Sequence, residues 1–197
     1  MDDKFRLVVR SLGDERVKLN EPLSFHTYSK LGGPAEAFYI ATNQRELIRV
    51  LDLANELNLN FFILGGGTKV LISDLGIKGL VIKNRSSNIK IAGVKGKVGK
   101  DGIGVSEALV EVDSGVSIGK LNEFLAKNSL EEVTGYSALQ STIGGSIFLD
   151  LTLRSRTQKI KIWNYGSLHD IGLEDLRREN QVVLSVVFRF KAKEKYN

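Results

Sequence analysis

At 197 residues, 42% of them apolar and 26% charged, the chain can bury one core or two small lobes that share one. Cysteine is absent, which excludes disulfides, thiol nucleophiles and thiolate metal sites, and the His, Asp and Glu residues show no metal-ligand spacing, so no metal is expected. The net charge is +5, with lysines thickest from Lys90 to Lys100 and from Lys191 to Lys195; neither run carries the interleaved aromatics on which bases stack, so a solvated basic face is expected and no nucleic acid.

The amino terminus, Met1 to Arg6, carries charges of both signs and no signal-peptide core, and no apolar run reaches bilayer-spanning length. A cytoplasmic protein without a membrane partner is expected. Residues 1–20 show no strong period and read as a leader hairpin or arm. Ala37 to Ile40 is a short strand. Asn43 stands three residues before Glu46 as in a capping box, and Leu47, Val50, Leu51, Ala54 and Leu57 follow at helical spacing. Phe61 to Leu64 reads as a fully apolar, buried strand, and Gly79 to Ile82 as the next. Together these form a βαβ unit.

Further on, Ile89 to Ile91, Gly102 to Val105 and Ala108 to Val112 read as strands joined by glycine turns. Ser117 is placed to cap a helix that turns Ile118, Leu121, Phe124 and Leu125 inward. Lys159 to Tyr165 alternates polar and apolar residues as a half-exposed antiparallel strand does, and Gln181 to Phe190 is a long β-branched strand. His169 falls in an expected turn. The resulting expectation is an α+β architecture of two lobes, residues 1–83 and 84–197, with a ligand in the cleft between them.

Two loops stand out chemically. Gly65, Gly66 and Gly67 leave the Phe61–Leu64 strand and are followed by Thr68, Lys69 and Val70. A loop without Cβ atoms brings its backbone N–H groups close to a phosphate; Thr68 adds a hydroxyl and Lys69 a cation. A dinucleotide fingerprint would need glycine or alanine where Val70 stands, and Gly115 to Leu121 has the wrong spacing for a P-loop. The residues alone leave two readings open, an anion loop or a tight turn without a ligand. The second element is Thr142, Ile143, Gly144, Gly145 and Ser146, downstream of Gly135, Tyr136 and Ser137. Two adjacent glycines there admit a flat ring or a diphosphate, or simply close packing.

With their flanks, the two loops resemble the UDP-N-acetylenolpyruvoylglucosamine reductases, flavoenzymes of peptidoglycan precursor synthesis. The resemblance runs from about Leu19 to Phe190. It is carried by His26 to Glu36, by Leu64 to Thr68 with Val70 to Asp74, by Gly115-Val116-Ser117 before a helix, and by Thr142 to Gly145. It implies the two-lobed FAD-binding fold of the vanillyl-alcohol-oxidase/PCMH type. Gly65, Gly66, Gly67, Thr68, Lys69 and Val70 would serve the FAD pyrophosphate, and Gly115, Ser117, Thr142, Ile143, Gly144 and Gly145 the rest of the cofactor. The adenine would lie near the Ile82 strand and the isoalloxazine near Thr142 to Gly145. On this placement a side chain at Gly66 would block the phosphates.

The sequence departs from the family pattern where catalysis would be. Ile-Pro-Gly-Thr-Val becomes Leu139-Gln140-Ser141-Thr142-Ile143, a Met-Asn-Ala-Gly-Ala-Tyr-Gly-like stretch becomes Leu149 to Ser155, and the loop's usual Asn is Lys69. A Tyr-Arg-x-Ser element is replaced by Leu173 to Asn180, where Arg177 is the one candidate for a substrate arginine; an exposed Arg pair on a short helix is the plainer reading. The chain ends seven residues after Phe190, so the expectation is a flavin-binding portion without the family's substrate domain. Three functions follow. One is an FAD-binding homologue with an incomplete catalytic site. Another is an NADPH-dependent reductase completed by a partner protein and acting on a UDP-sugar. The last is a scaffold without flavin, its slot filled by Leu149, Leu151 and Leu153.

Overall fold

The structure, a computed structural model, describes residues 3–99, 102–134 and 139–193. Gly135, Tyr136, Ser137, Lys100 and Lys195 lie outside the described residues.

Helix α1 (Asp3–Leu12) buries Phe5, Val8 and Leu12, and strand β1 (Val17–Pro22) follows it. The expected arm is therefore corrected to a packed helix and a strand. Spacings of three and four put Phe5, Val8 and Leu12 on one stripe, which lies in the cluster that also holds Leu47, Val50, Leu51 and Ala54. Arg49 donates to the Ser11 carbonyl at 2.6 Å and ties the end of α1 to the next helix.

Strand β2 (Pro34–Ala41), helix α2 (Gln44–Glu56), strand β3 (Phe61–Leu64) and strand β4 (Ile77–Asn84) complete the first sheet, in the order β1-β2-β4-β3. Strand β4 runs parallel to both β2 and β3, so α2 is the crossover of the expected βαβ unit, with β4 inserted between its strands. The capping residues act as the pattern suggested: Asn43 accepts from the Glu46 amide at 2.9 Å. The Glu46 carboxylate reaches one residue further back, accepting from the Thr42 amide at 2.8 Å. Strand β3 corrects the expectation of a buried strand. It is the sheet edge, and Phe61, Phe62 and Ile63 are only half-buried.

The second sheet has the order β5-β6-β9-β7-β8. Strands β5 (Ile89–Gly99) and β6 (Gly102–Asp113) form one long hairpin, so Gly102 to Val105 and Ala108 to Val112 belong to a single strand. Helix α3 (Ile118–Lys127) begins at Ser117, which accepts from the Lys120 amide at 3.3 Å, and buries Ile118, Leu121 and Leu125. Two short helices, α4 (Ile143–Ser146) and α5 (Leu151–Arg156), precede β7 (Thr157–Asn164), β8 (Ser167–Ile171) and β9 (Val182–Lys191). His169 lies in β8, paired with Ile162, rather than in a turn. Residues 173–180 form turns and bends and no helix, which removes the expected helical Arg pair.

Strand β9 is the centre of the second sheet and is buried along most of its length, as its β-branched run requires. Leu121, Leu125, Ile143, Leu153, Phe188 and Phe190 share that sheet's core. Trp163, Val182 and Leu184 instead join the cluster beneath α2. The two sheets are thus stitched by a common apolar layer, and the mixed composition is the expected α+β class.

Candidate functional site

At the end of edge strand β3 the chain enters Gly65 to Thr68. The backbone N–H groups of Gly65, Gly66, Gly67 and Thr68 have no acceptor among the described residues. Backbone amides away from water are mostly paired; of these four residues Gly67 is buried and Gly65, Gly66 and Thr68 are half-buried. The glycines are demanded by neighbours as much as by any ligand. A Cβ on Gly65 would meet the Thr142 hydroxyl, one on Gly66 the Gln140 carbonyl, and one on Gly67 the His26 carbonyl. Gly67 also has φ +72°, and its carbonyl accepts from the Tyr28 amide at 2.9 Å. The loop is clamped between residues 26–28 on one side and 140–142 on the other.

Two side chains complete the clamp. The Thr68 hydroxyl lies 2.9 Å from that of Ser141, which is 1% exposed. Lys69 donates to the Ser146 hydroxyl at 3.1 Å, with Asp150 as its electrostatic partner. Burial lowers the Lys69 pKa and Asp150 opposes that shift. Its cation is held toward α4 and α5. Val70 packs beside Leu23 and Leu64.

The Thr142 segment is seated by its own backbone. Ile143 and Gly144 donate to the carbonyls of Val116 and Ser114, each at 2.8 Å, and the Gly145 amide reaches Thr142 at 3.1 Å. The Ile143 side chain is fully buried in the second core, so this residue anchors the segment. Gly144 packs against Ser114, while Gly145 has open space, its nearest neighbour being the Thr142 hydroxyl at 3.7 Å from an added Cβ. The Gly115 amide donates to Ser86 at 3.2 Å.

These loops border two adjoining cavities. The larger, of about 740 Å³, is lined by Gly65 to Val70, Ser141, Thr142, Gly144 and Gly145, and is walled by Phe61, Phe62, Phe148 and Trp163. Its size and apolar walls are those of a small-molecule site. Trp163 is fixed by donating to Asp52 at 2.7 Å and by an edge contact with Phe61. The smaller, of about 360 Å³, is lined by Gly115 and Ser117 together with Lys83, Arg85 and Lys120. Gly65, Gly66 and Thr142 border both. Nine of the twelve expected cofactor residues therefore line the first cavity, Gly115 and Ser117 line the second, and Ile143 lines neither.

Sequence reasoning missed Asn84, Ser114, Trp163 and Arg178 on the first cavity and the three cations on the second. Arg177 turns back on its own loop, its guanidinium donating to the carbonyls of Glu174 and Leu176. Its neighbour Arg178 lines the large cavity and stacks over Phe148 at 5.6 Å. Of the three leucines expected to fill a flavin slot, only Leu149 reaches the cavity; Leu151 is 80% exposed and Leu153 is in the second core. Among the described residues no cluster of His, Asp and Glu is arranged to hold a metal ion, and no helix is long and apolar enough to cross a membrane.

Comparison with known proteins gives a consistent picture. A sequence profile described as "FAD binding domain" matches residues 35–149. The UDP-N-acetylenolpyruvoylglucosamine reductase of Clostridium tetani is 32% identical over 144 residues, 73% of this chain and 42% of that protein. The Clostridium perfringens reductase is 27% identical over 74% of this chain and 44% of its own length. The chain thus spans less than half the length of these relatives. Among solved structures, the reductase (MurB) of Thermus caldophilus matches with a TM-score of 0.70 at 18% identity, over 91% of this chain and 64% of that one. p-Cresol methylhydroxylase matches with a TM-score of 0.65 at 13% identity, over 100% and 45%. At such identities these two establish the fold.

Proposed function

We propose that this chain, which belongs to the FAD-binding domain family, holds FAD with its pyrophosphate on the amides of Gly65, Gly66, Gly67 and Thr68. The observation that carries this reading is that those four N–H groups have no acceptor among the described residues and stand beside a cavity of about 740 Å³. Backbone amides at a glycine turn stabilise a diphosphate by hydrogen bonds that cost no side-chain ordering. The aromatic and apolar walls from Phe61, Phe62, Phe148 and Trp163 suit flat rings, and Gly145 leaves room for one to approach the main chain. Bound FAD supplies two-electron redox chemistry; the chain's own residues bind the cofactor, orient it and keep water from it.

The likeness to the UDP-N-acetylenolpyruvoylglucosamine reductases supports a place in peptidoglycan precursor chemistry. In our reading this chain supplies the flavin-holding part of such a reductase, with NADPH as donor and a UDP-sugar as acceptor, and the substrate-facing groups come from a partner protein. Arg178, over Phe148 on the cavity wall, takes the role considered for Arg177. The cytoplasm is the compartment consistent with such substrates.

The test is the absorption spectrum of purified protein after incubation with FAD and removal of free cofactor. Retained flavin bands at near one equivalent support the reading. Protein that stays colourless at saturating FAD refutes it.

A further inference from the structure

The large cavity carries charge of one sign only. Among the described residues, Lys69 and Arg178 are the two charged side chains on its wall, and no Asp or Glu lines it. Lys69 follows the glycine loop directly, yet its ammonium is tied to α4, donating to the Ser146 hydroxyl at 3.1 Å. Ser146 is fully buried, and it follows Gly145, the glycine with open space in front of it.

The counter-charge is set back from the wall. Asp150 is 8% exposed and does not line the cavity. Its Oδ1 caps α5, accepting from the amides of Thr152 and Leu153 at 3.0 and 3.1 Å. From there it favours the protonated lysine against the effect of burial. Of this pair, Lys69 is the partner that meets the cavity.

A fixed cation acts on a redox group through the charge that the group gains. At neutral pH, reduction of a flavin takes up two electrons and one proton, so the ring system gains one negative charge. The pyrophosphate carries the same charge before and after. A cation beside the ring therefore favours the reduced form and raises the potential, whereas a cation beside the pyrophosphate favours both forms alike and leaves the potential where it was.

We propose that Lys69 sets the redox poise of the bound flavin: held beside Gly145 by Ser146 and Asp150, its cation serves the ring and leaves the phosphates to the Gly65–Thr68 amides. This rests on the proposed function, since it needs a flavin whose ring lies along Gly144 and Gly145. It adds that the cavity favours the reduced cofactor, and it names the side chain responsible.

The experiment uses the full chain as wild type, Lys69→Met and Lys69→Arg, with circular dichroism to confirm that each folds. Uptake of FAD by the wild type is read first; protein that takes none sinks the proposed function and this inference with it. At saturating FAD, each protein is then reduced anaerobically in equilibrium with a reference dye, and the absorbance of both gives the potential of the bound flavin. Lys69→Met should lower the equilibrium constant for reduction at least about tenfold, which is about 30 mV for a two-electron couple. Lys69→Arg, which keeps the charge, should stay nearer the wild type. An unchanged potential in Lys69→Met overturns the inference while leaving the proposed function standing, and a loss of FAD affinity alongside it would assign the cation to the phosphates. Equal falls in Lys69→Met and Lys69→Arg also overturn it, because charge would then not be the cause. So does a Lys69→Met protein that takes no FAD when the wild type does, since the oxidised cofactor would then need the cation.

Discussion

The hydroxyls of Thr68 and Ser141 lie 2.9 Å apart and bind the glycine loop to the segment preceding α4 across 73 positions of sequence. Ser141 is buried, so its hydroxyl depends on Thr68 for a partner. Thr68→Val keeps the shape and strands that hydroxyl, at a cost of about 1–3 kcal/mol. For a chain of this size that lowers Tm by about 2–4 °C per kcal/mol. Adding Ser141→Ala should recover part of the loss, and a double-mutant cycle by thermal unfolding measures the coupling. Equal losses that simply add would show that the contact contributes nothing.

Gly66 and Gly145 make a contrasting pair. A Cβ at Gly66 strikes the Gln140 carbonyl, whereas one at Gly145 meets only ordinary contact. Gly66→Ala should therefore destabilise cofactor-free protein by about 1–3 kcal/mol, so loss of flavin in a Gly66 variant reports on folding as well as on phosphate approach. Gly145→Ala should leave the cofactor-free Tm within about 2 °C and weaken FAD binding selectively. Chemical denaturation without cofactor separates the two.

Lys83 sets a pH dependence. Its folded pKa is about 8, below the ordinary 10.5. In the unfolded chain the lysine still holds its proton between those values, so the unfolded state binds more protons and stability rises with pH from about 8 to 10.5. Denaturation free energies across that window should climb in wild type and climb less in Lys83→Met. A flat wild-type profile would contradict the burial of a charged lysine.

Glu46 behaves oppositely. Hydrogen bonding to Arg16 is the main cause that holds its pKa at about 2, below the ordinary 4.5. The stabilisation is complete above 4.5 and is lost as pH falls from there toward 2. Glu46→Gln should remove part of the acid sensitivity in that interval, and thermal melts at stepped pH follow it.

Trp163 is the chain's single tryptophan and lines the large cavity in edge contact with Phe61. Its emission should fall as FAD is added, saturating with bound cofactor. Trp163→Phe should remove the signal while flavin absorbance still reports binding.

Helix α2 was legible because its cap and its stripe are both local: Asn43 and Glu46 at one end, Leu47, Val50, Leu51 and Ala54 along one face. Helix α1 carries a similar stripe in Phe5, Val8 and Leu12, but Leu7 and Val9 between these residues blur its period until the partner helix is known. Strand β3 was misread for a physical reason, since four apolar residues in a row look the same whether they enter a core or wall a cavity. The loops that form the site were visible as glycine clusters. What those glycines make room for was not, because Gln140, Thr142 and His26 approach from distant parts of the chain. Arg177 and Arg178 are indistinguishable in sequence, and only the course of the bends from 173 to 180 decides which one faces the cavity.

Backbone amide shifts of labelled protein during FAD titration bear most directly on the pyrophosphate loop. The N–H signals of Gly65, Gly66, Gly67 and Thr68 should move together and saturate with the flavin absorbance, and inorganic pyrophosphate should shift the same four. FAD binding that leaves those four signals in place would contradict the account.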